Sequence, residues 1–355
     1  MTEVRDVQPV ESVESVELVE SVQPVPAVES VPAVHSAPAA ALVRAHTPTP
    51  APAPAPVPAY IEVLSPGPLT TVQDLGRPGH AAIGVGASGA ADRGSLRLAN
   101  RLVGNPEEEA AALELTYGGL RLRFESAATI ALTGARCPIM VDDRAVGMDG
   151  PIRVRAGQQV IVGLPSEGLR TYLAVRGGID VPPVLGSRST DLLSGIGPPV
   201  LEAGTRLPIG QQVEGFPNVD FAPRRRDHFG PAILRVLPGP RDDWFVPEAL
   251  DTLGESAYVV TNDSNRVGAR LDGPALKRAV HEELPSEGAV SGALQVTPDG
   301  RPMLFLADHP VTGGYPVIAV VVAQDLDRAA QLRAGDAVRF RVQPPLTSPS
   351  TGSRL

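Results

Sequence analysis

The chain of 355 residues contains one cysteine, Cys137, and one lysine, Lys277. A lone thiol cannot form an intramolecular disulfide, which suits a reducing cytoplasm, the expected location. Cys137 sits in "TGARCPIM" between strand-like runs with no histidine beside it, so a buried or edge thiol is expected rather than a nucleophile. A P-loop needs Gly-Lys-Ser/Thr, and a biotin carrier needs a lysine in a Met-Lys-Met-like turn. Lys277 lies in "ALKRA" and fits neither, so biotin is not expected on this chain. Arginine supplies the other cationic side chains; it keeps its charge and grips carboxylate or phosphate through paired hydrogen bonds. The net charge of −9 and the lack of a basic stripe argue against a nucleic-acid partner. The one basic run, Arg224-Arg225-Arg226, falls in a proline-flanked connector. No apolar run reaches the roughly 18 residues of a membrane span. The acidic start lacks the basic residues and apolar stretch of a signal peptide.

What is present divides the chain. Residues 1–59 repeat Val-Glu-Ser and then alternate Pro with Ala. Proline fixes φ and removes donors, and the Val-Glu part has too little to bury to offset its ordering entropy, so a disordered tail is expected. From Tyr60 the composition is that of a packed domain. "LRLRF" (120–124) and "VRFRV" (338–342) alternate apolar and basic residues, the period of a half-buried strand. "TIALTG", "QVIVG", "TYLAVRGG", "ILRVL" and "YVVT" are further short strand-like runs broken by Gly, Pro or Asp. Helical signals are few. Asp92 is placed to cap "RGSLRLANRLV", with Gly104 ending it, and Asp325 precedes "LDRAAQL". This predicts a mainly β fold with a few short helices. The Pro-, Gly- and charge-rich segment 215–232 suggests a boundary, giving a first subdomain over 60–214, a second over 215–345 and a frayed end over 346–355.

Four stretches mix glycine with polar side chains beyond what packing asks for. "TTVQDLGRPGHAAIGVGASGAADRGS" carries Gln73, Asp74, Arg77, Ser88 and Asp92, and reads either as a ligand loop or as a long turn-rich connection. "TNDSNRVGARLDG" brings Asn265, Arg266 and Arg270 around Gly268, a set able to hold a carboxylate or phosphate, or simply a polar turn. "ELPSEGAVSGALQVTPDG" places Ser286 before a small-residue stretch and Gln295 on a strand, with "TPDG" as a hairpin turn. "LADHPVTGGYPVIAV" sets Asp308 and His309 ahead of Thr312, Gly313, Gly314 and Tyr315. An apolar strand follows, so the Asp308 carboxylate should need a buried partner or a ligand, and Arg266 and Arg270 are the expected partners. His309 could titrate near neutrality, and Asp308 and His309 are the candidate acid-base pair. No zinc spacing and no Gly-x-Ser-x-Gly elbow occur.

These stretches, with "GVGASGAADRGSLRLANRLVGN", "YLAVRGGIDVPPVLGSRSTDLL" and "DLDRAAQLRAGDAVRF", resemble a family that includes the C-type component of bacterial 5-oxoprolinase and one half of the urea carboxylase carboxyltransferase domain. Proteins labelled as antagonists of a sporulation kinase inhibitor belong to it too. The resemblance runs over about 61–340. It departs at Pro310, which stands where many members have glutamine.

The resemblance implies two cyclophilin-like β-barrel subdomains and work in a complex. The implied partners are a B-like sister subunit and an A-like lactam-handling subunit. The implied reaction is ATP-dependent hydrolysis of 5-oxo-L-proline to L-glutamate, with Mg2+ accompanying the nucleotide. A lactam is a poor electrophile, and phosphorylating its oxygen creates a leaving group whose charge needs cations and hydrogen bonds. Arg266, Arg270, Asn265, Ser286, Gln295, Thr312, Gly313, Gly314 and Tyr315 are the expected substrate-binding residues. Two competing functions stay open: a carboxyltransferase half that uses biotin carried elsewhere on a urea-like amide, and a non-catalytic regulatory module.

Overall fold

A computed structural model describes residues 59–216, 221–222 and 231–344. The expected disordered tail before Ala59, the Arg224–Arg226 run and the frayed end over 346–355 lie outside the described residues.

Strands dominate, as the alternation predicts. Leu120–Phe124 buries Leu120, Leu122 and Phe124 and turns Arg121 and Arg123 to solvent. It belongs to a six-stranded sheet ordered Arg206–Ile209, Ala59–Pro66, Leu120–Phe124, Gln159–Val162, Ile139–Val141 and Arg144–Val146. A five-stranded sheet runs Leu69–Gln73, Ala112–Thr116, Glu167–Val175, Ala128–Arg136 and Pro151–Val154. Ile61, Leu122 and Val160 of the first sheet share one apolar core with Leu113, Ile130 and Leu173 of the second. Each fully buried side chain of this kind contributes about 1.5–3 kcal/mol.

The later strands close into a barrel in the order Ala232–Pro238, Val317–Val321, Ala293–Val296, Pro302–Phe305, Gly268–Asp272, Ala257–Val260 and Ala337–Val342. Only the closing pair, Ala232–Pro238 with Ala337–Val342, is parallel. Leu234, Val260, Leu271, Leu294, Leu304, Ile318 and Phe340 fill it. The two β bodies therefore differ in form: the later one is a closed barrel, the earlier one two sheets facing each other. The "TPDG" turn joins Ala293–Val296 to Pro302–Phe305, with Gly300 N–H donating to the Thr297 carbonyl at 2.9 Å.

Helix α1 (Arg93–Val103) forms as expected. The Asp92 carboxylate accepts from Ser95 N–H at 2.8 Å, and Gly104 ends the helix in the left-handed region at φ 69°. Leu96, Ala99, Leu102 and Val103 lie against Ala112, Ala131, Tyr172 and Ala174 of the five-stranded sheet. Helix α2 (Ala249–Glu255) buries Ala249 and Leu253 against the barrel. Helix α3 (Leu326–Ala329) departs from expectation at its start. Asp325 gives it no side-chain cap, because Arg235 takes the carboxylate through its backbone N–H at 2.7 Å and its guanidinium at 2.7 and 2.9 Å. Asp327 of α3 instead reaches α1, accepting from Arg93 N–H at 2.9 Å and Gly94 N–H at 3.1 Å. Among the described residues no helix is long and apolar enough to cross a membrane.

Candidate functional site

The connection from Leu306 to Pro316 links two barrel strands, and its two ends sit in opposite environments. At the first end Asp308 is 2% exposed and fully engaged. Arg266 grips it in the expected two-pronged fashion, Nε to Oδ2 at 2.8 Å and Nη2 to Oδ1 at 2.9 Å. Ser88 Oγ donates to Oδ1 at 2.7 Å and Leu192 N–H to Oδ2 at 3.1 Å. Arg266 continues across to the earlier β body, donating to Gly89 O at 2.6 Å and to Glu114 Oε1. Glu114 also accepts from Tyr172 Oη at 2.7 Å and Ala91 N–H at 3.0 Å, and pairs with Arg170 Nε at 3.4 Å. Burial opposes both charges. The Glu114 and Asp308 carboxylates outweigh it at Arg266, whose pKa rises above the usual arginine range. Arg266 and Arg170, with the two hydrogen bonds, outweigh it at Glu114, whose carboxyl falls below its usual value. Burial beside Glu114 pushes the Tyr172 phenol well up. The cluster is thus a set of paired fixed charges, joining the barrel to the earlier sheets.

At the other end the chain opens to solvent. Thr312 and Gly313 form a two-residue ribbon with Glu287 and Gly288. Tyr315 is 43% exposed, and its carbonyl accepts from Gln295 Nε2 at 3.0 Å. A Cβ at Gly313 would come within 2.5 Å of that Nε2 and would displace the Gln295 amide. The Arg278 guanidinium lies 5.6 Å from the centre of the Tyr315 ring and donates to the Val296 carbonyl. Arg241 neutralises Glu287 on the same ribbon, with Nε to Oε1 at 2.9 Å. Ser286 is exposed next to it.

The expected site residues therefore separate. Asp308 meets Arg266, as charge pairing demands. Arg270 does not join them; it is exposed on the strand Gly268–Asp272. The Asn265 Oδ1 accepts from Val267 N–H at 2.8 Å and closes its own turn. His309 is half-buried, stacked 5.9 Å from Phe305, with Nδ1 2.8 Å from the Pro310 carbonyl. Gln295, Thr312, Gly313, Gly314 and Tyr315 do gather. In the first glycine-rich stretch Ser88 reaches the buried cluster, while Asp74 knits loops together through Ser187 and Ser189, both at 2.6 Å. Cys137 is half-buried beside Thr171, and burial raises its thiol pKa.

Sequence reasoning missed Glu114, Arg170 and Tyr172, and missed Arg278. The signal for Glu114 is an acid inside the otherwise apolar strand "ALEL". Arg278 has no local signal beyond its place beside Lys277. An open groove of about 1080 Å³, lined by Arg144, Arg153 and Arg155 among others, includes none of the candidate residues.

The family model for the carboxyltransferase domain, subdomains A and B, matches residues 83–342, and the chain belongs to that family. It is 40% identical over 289 residues to the C-type component of Escherichia coli 5-oxoprolinase, covering 79% of this chain and 90% of that protein. It is 36% identical to urea amidolyase of Lachancea kluyveri, of which it spans 17%. The crystal structure of Kluyveromyces lactis urea carboxylase superposes with a TM-score of 0.73 at 35% identity, over 80% of this chain and 27% of that one.

Proposed function

We propose that the chain is the C-type component of an ATP-dependent 5-oxoprolinase, converting 5-oxo-L-proline to L-glutamate together with a B-like sister subunit and an A-like lactam-handling subunit in the cytoplasm. The observation that carries this is similarity, 40% identity to the E. coli 5-oxoprolinase component against 36% to a urea amidolyase. The match to the E. coli protein extends over 90% of that protein. The open ribbon suits a small anionic substrate, since it offers a guanidinium, an amide and exposed backbone at glycine. Asp308 and Arg266 act in this proposal as positioning residues. Their hydrogen bonds are committed to each other and to Glu114, and they hold one end of the connection whose other end presents Tyr315. ATP, with Mg2+, supplies the phosphoryl group that makes the lactam oxygen a leaving group.

The test is co-purification from the native cell, followed by an assay of ATP-dependent glutamate release from 5-oxo-L-proline. Release by the complex, and none by the isolated chain, is expected. A complete complex that is inert toward 5-oxo-L-proline would overturn the proposal. The family match and the likeness to urea carboxylase favour one second reading, half of a carboxyltransferase served by a separate biotin carrier. Capture of a biotinylated protein in the same co-purification, with carboxyl transfer to a urea-like amide, would select it.

A further inference from the structure

We propose that Arg278 is the carboxylate-binding residue of the open site and that it selects an acid over its neutral analogue. The geometry carries the cation site; the identity of the acid as 5-oxo-L-proline rests on the function proposed above.

The site is asymmetric in charge. Arg241 is cancelled by Glu287, whereas no carboxylate among the described residues pairs with Arg278. Its Nε is buried without a hydrogen-bond partner, and one Nη donates to the Val296 carbonyl. Burial pulls its pKa below the usual arginine value, so this cation gains from any anion that reaches it. Its backbone is held by a bridge to Phe245, and its guanidinium lies over the ribbon's Tyr315 ring. A planar carboxylate is the ligand that a guanidinium fork suits.

The surroundings define what is attached to that carboxylate. Gln295 uses Nε2 on the Tyr315 carbonyl, which leaves its Oε1 as an acceptor for a ligand N–H. The exposed Tyr315 ring gives a flat apolar wall, and Gly314 beside it is exposed and carries no side chain. A small ring acid with an N–H next to its carboxylate fits these three elements. Urea offers the N–H groups but no anion for Arg278.

The experiment titrates 5-oxo-L-proline, its neutral primary amide and acetate into the full-length chain, alone and reconstituted with its co-purified sister subunit, by calorimetry. The wild type should bind the acid at least tenfold more tightly than the amide. Arg278→Gln should abolish that preference, Arg278→Lys should keep part of it, and Arg121→Gln, on an exposed strand face, should keep all of it. A purely structural Arg278 would lower the melting temperature and leave the acid-to-amide ratio unchanged, which overturns the proposal. So does the absence of any acid preference in the wild type. Arg278-dependent acetate binding, in a complex that releases no glutamate from 5-oxo-L-proline, upholds the cation site and removes the lactam as its occupant.

Discussion

Asp308 and Tyr315 stand seven positions apart on one connection, and both come from polar, glycine-bearing sequence. Asp308 is 2% exposed and accepts four hydrogen bonds, while Tyr315 is 43% exposed and stacks against a cation that lacks an anion. Polar residues of similar kind thus serve opposite ends. Where every charge has a partner inside the chain, the cluster fixes geometry. Where one cation lacks a partner, the chain is open to a ligand. Polar composition alone does not separate these cases; the balance of partners does.

The strongest way to break this contrast is to uncouple the buried end. Arg266→Met leaves the Asp308 and Glu114 carboxylates buried without their shared cation, so unfolding free energy should fall by about 3–5 kcal/mol. Urea denaturation measures it. A loss below about 1 kcal/mol would mean that the cluster is far wetter than its burial indicates.

The next effect is on pH. Burial, aided by the nearby Asp327 charge, raises the Asp92 carboxyl from 3.8 to about 6. The folded state therefore holds that proton more tightly than the unfolded chain. The resulting stability is fully present below pH ~4 and is lost as pH rises toward 6, an effect of about 3 kcal/mol. Asp92→Asn cannot ionise, so its stability relative to wild type should climb by up to that amount between pH 4 and pH 7. Paired denaturation curves across that range check it; a constant difference would place Asp92 in ordinary solvent.

Smaller changes belong to the open end. Gly313→Ala should push Gln295 off the Tyr315 carbonyl and cost about 0.5–1.5 kcal/mol, seen as a lower melting temperature with weaker binding of the acid. Tyr315→Ala should shift stability by no more than about 0.5 kcal/mol while weakening that binding. If Tyr315→Ala destabilised the chain as strongly as Arg266→Met, the two ends would not differ in kind.

The legible parts of the molecule follow from local rules. "LRLRF" and "VRFRV" show a period of two, and Asp92 and Gly104 bracket α1 with their own side chain and φ. The Asp308–Arg266 pair is legible because a carboxylate before a buried strand needs a cation, and few loops can supply one. The rest depends on contacts that sequence distance hides. Glu114 meets Arg266 from 152 positions away, and Asp325 turns from capping α3 to Arg235, 90 positions upstream. Arg270 looks equivalent to Arg266 until the strand is placed: Arg270 lies on the outward face of Gly268–Asp272, whereas Arg266 precedes that strand and turns inward.

The barrel's closing strand sets a rule for synthesis. Ala337–Val342 is hydrogen-bonded on both sides, parallel to Ala232–Pro238 and antiparallel to Ala257–Val260. A ribosome stalled before Ala337 would hold two strands with bare edges, the template on which other chains add. Protection of the nascent chain is therefore needed longest over residues 232–260, and a truncation at 336 should accumulate as aggregate rather than as a shorter soluble protein.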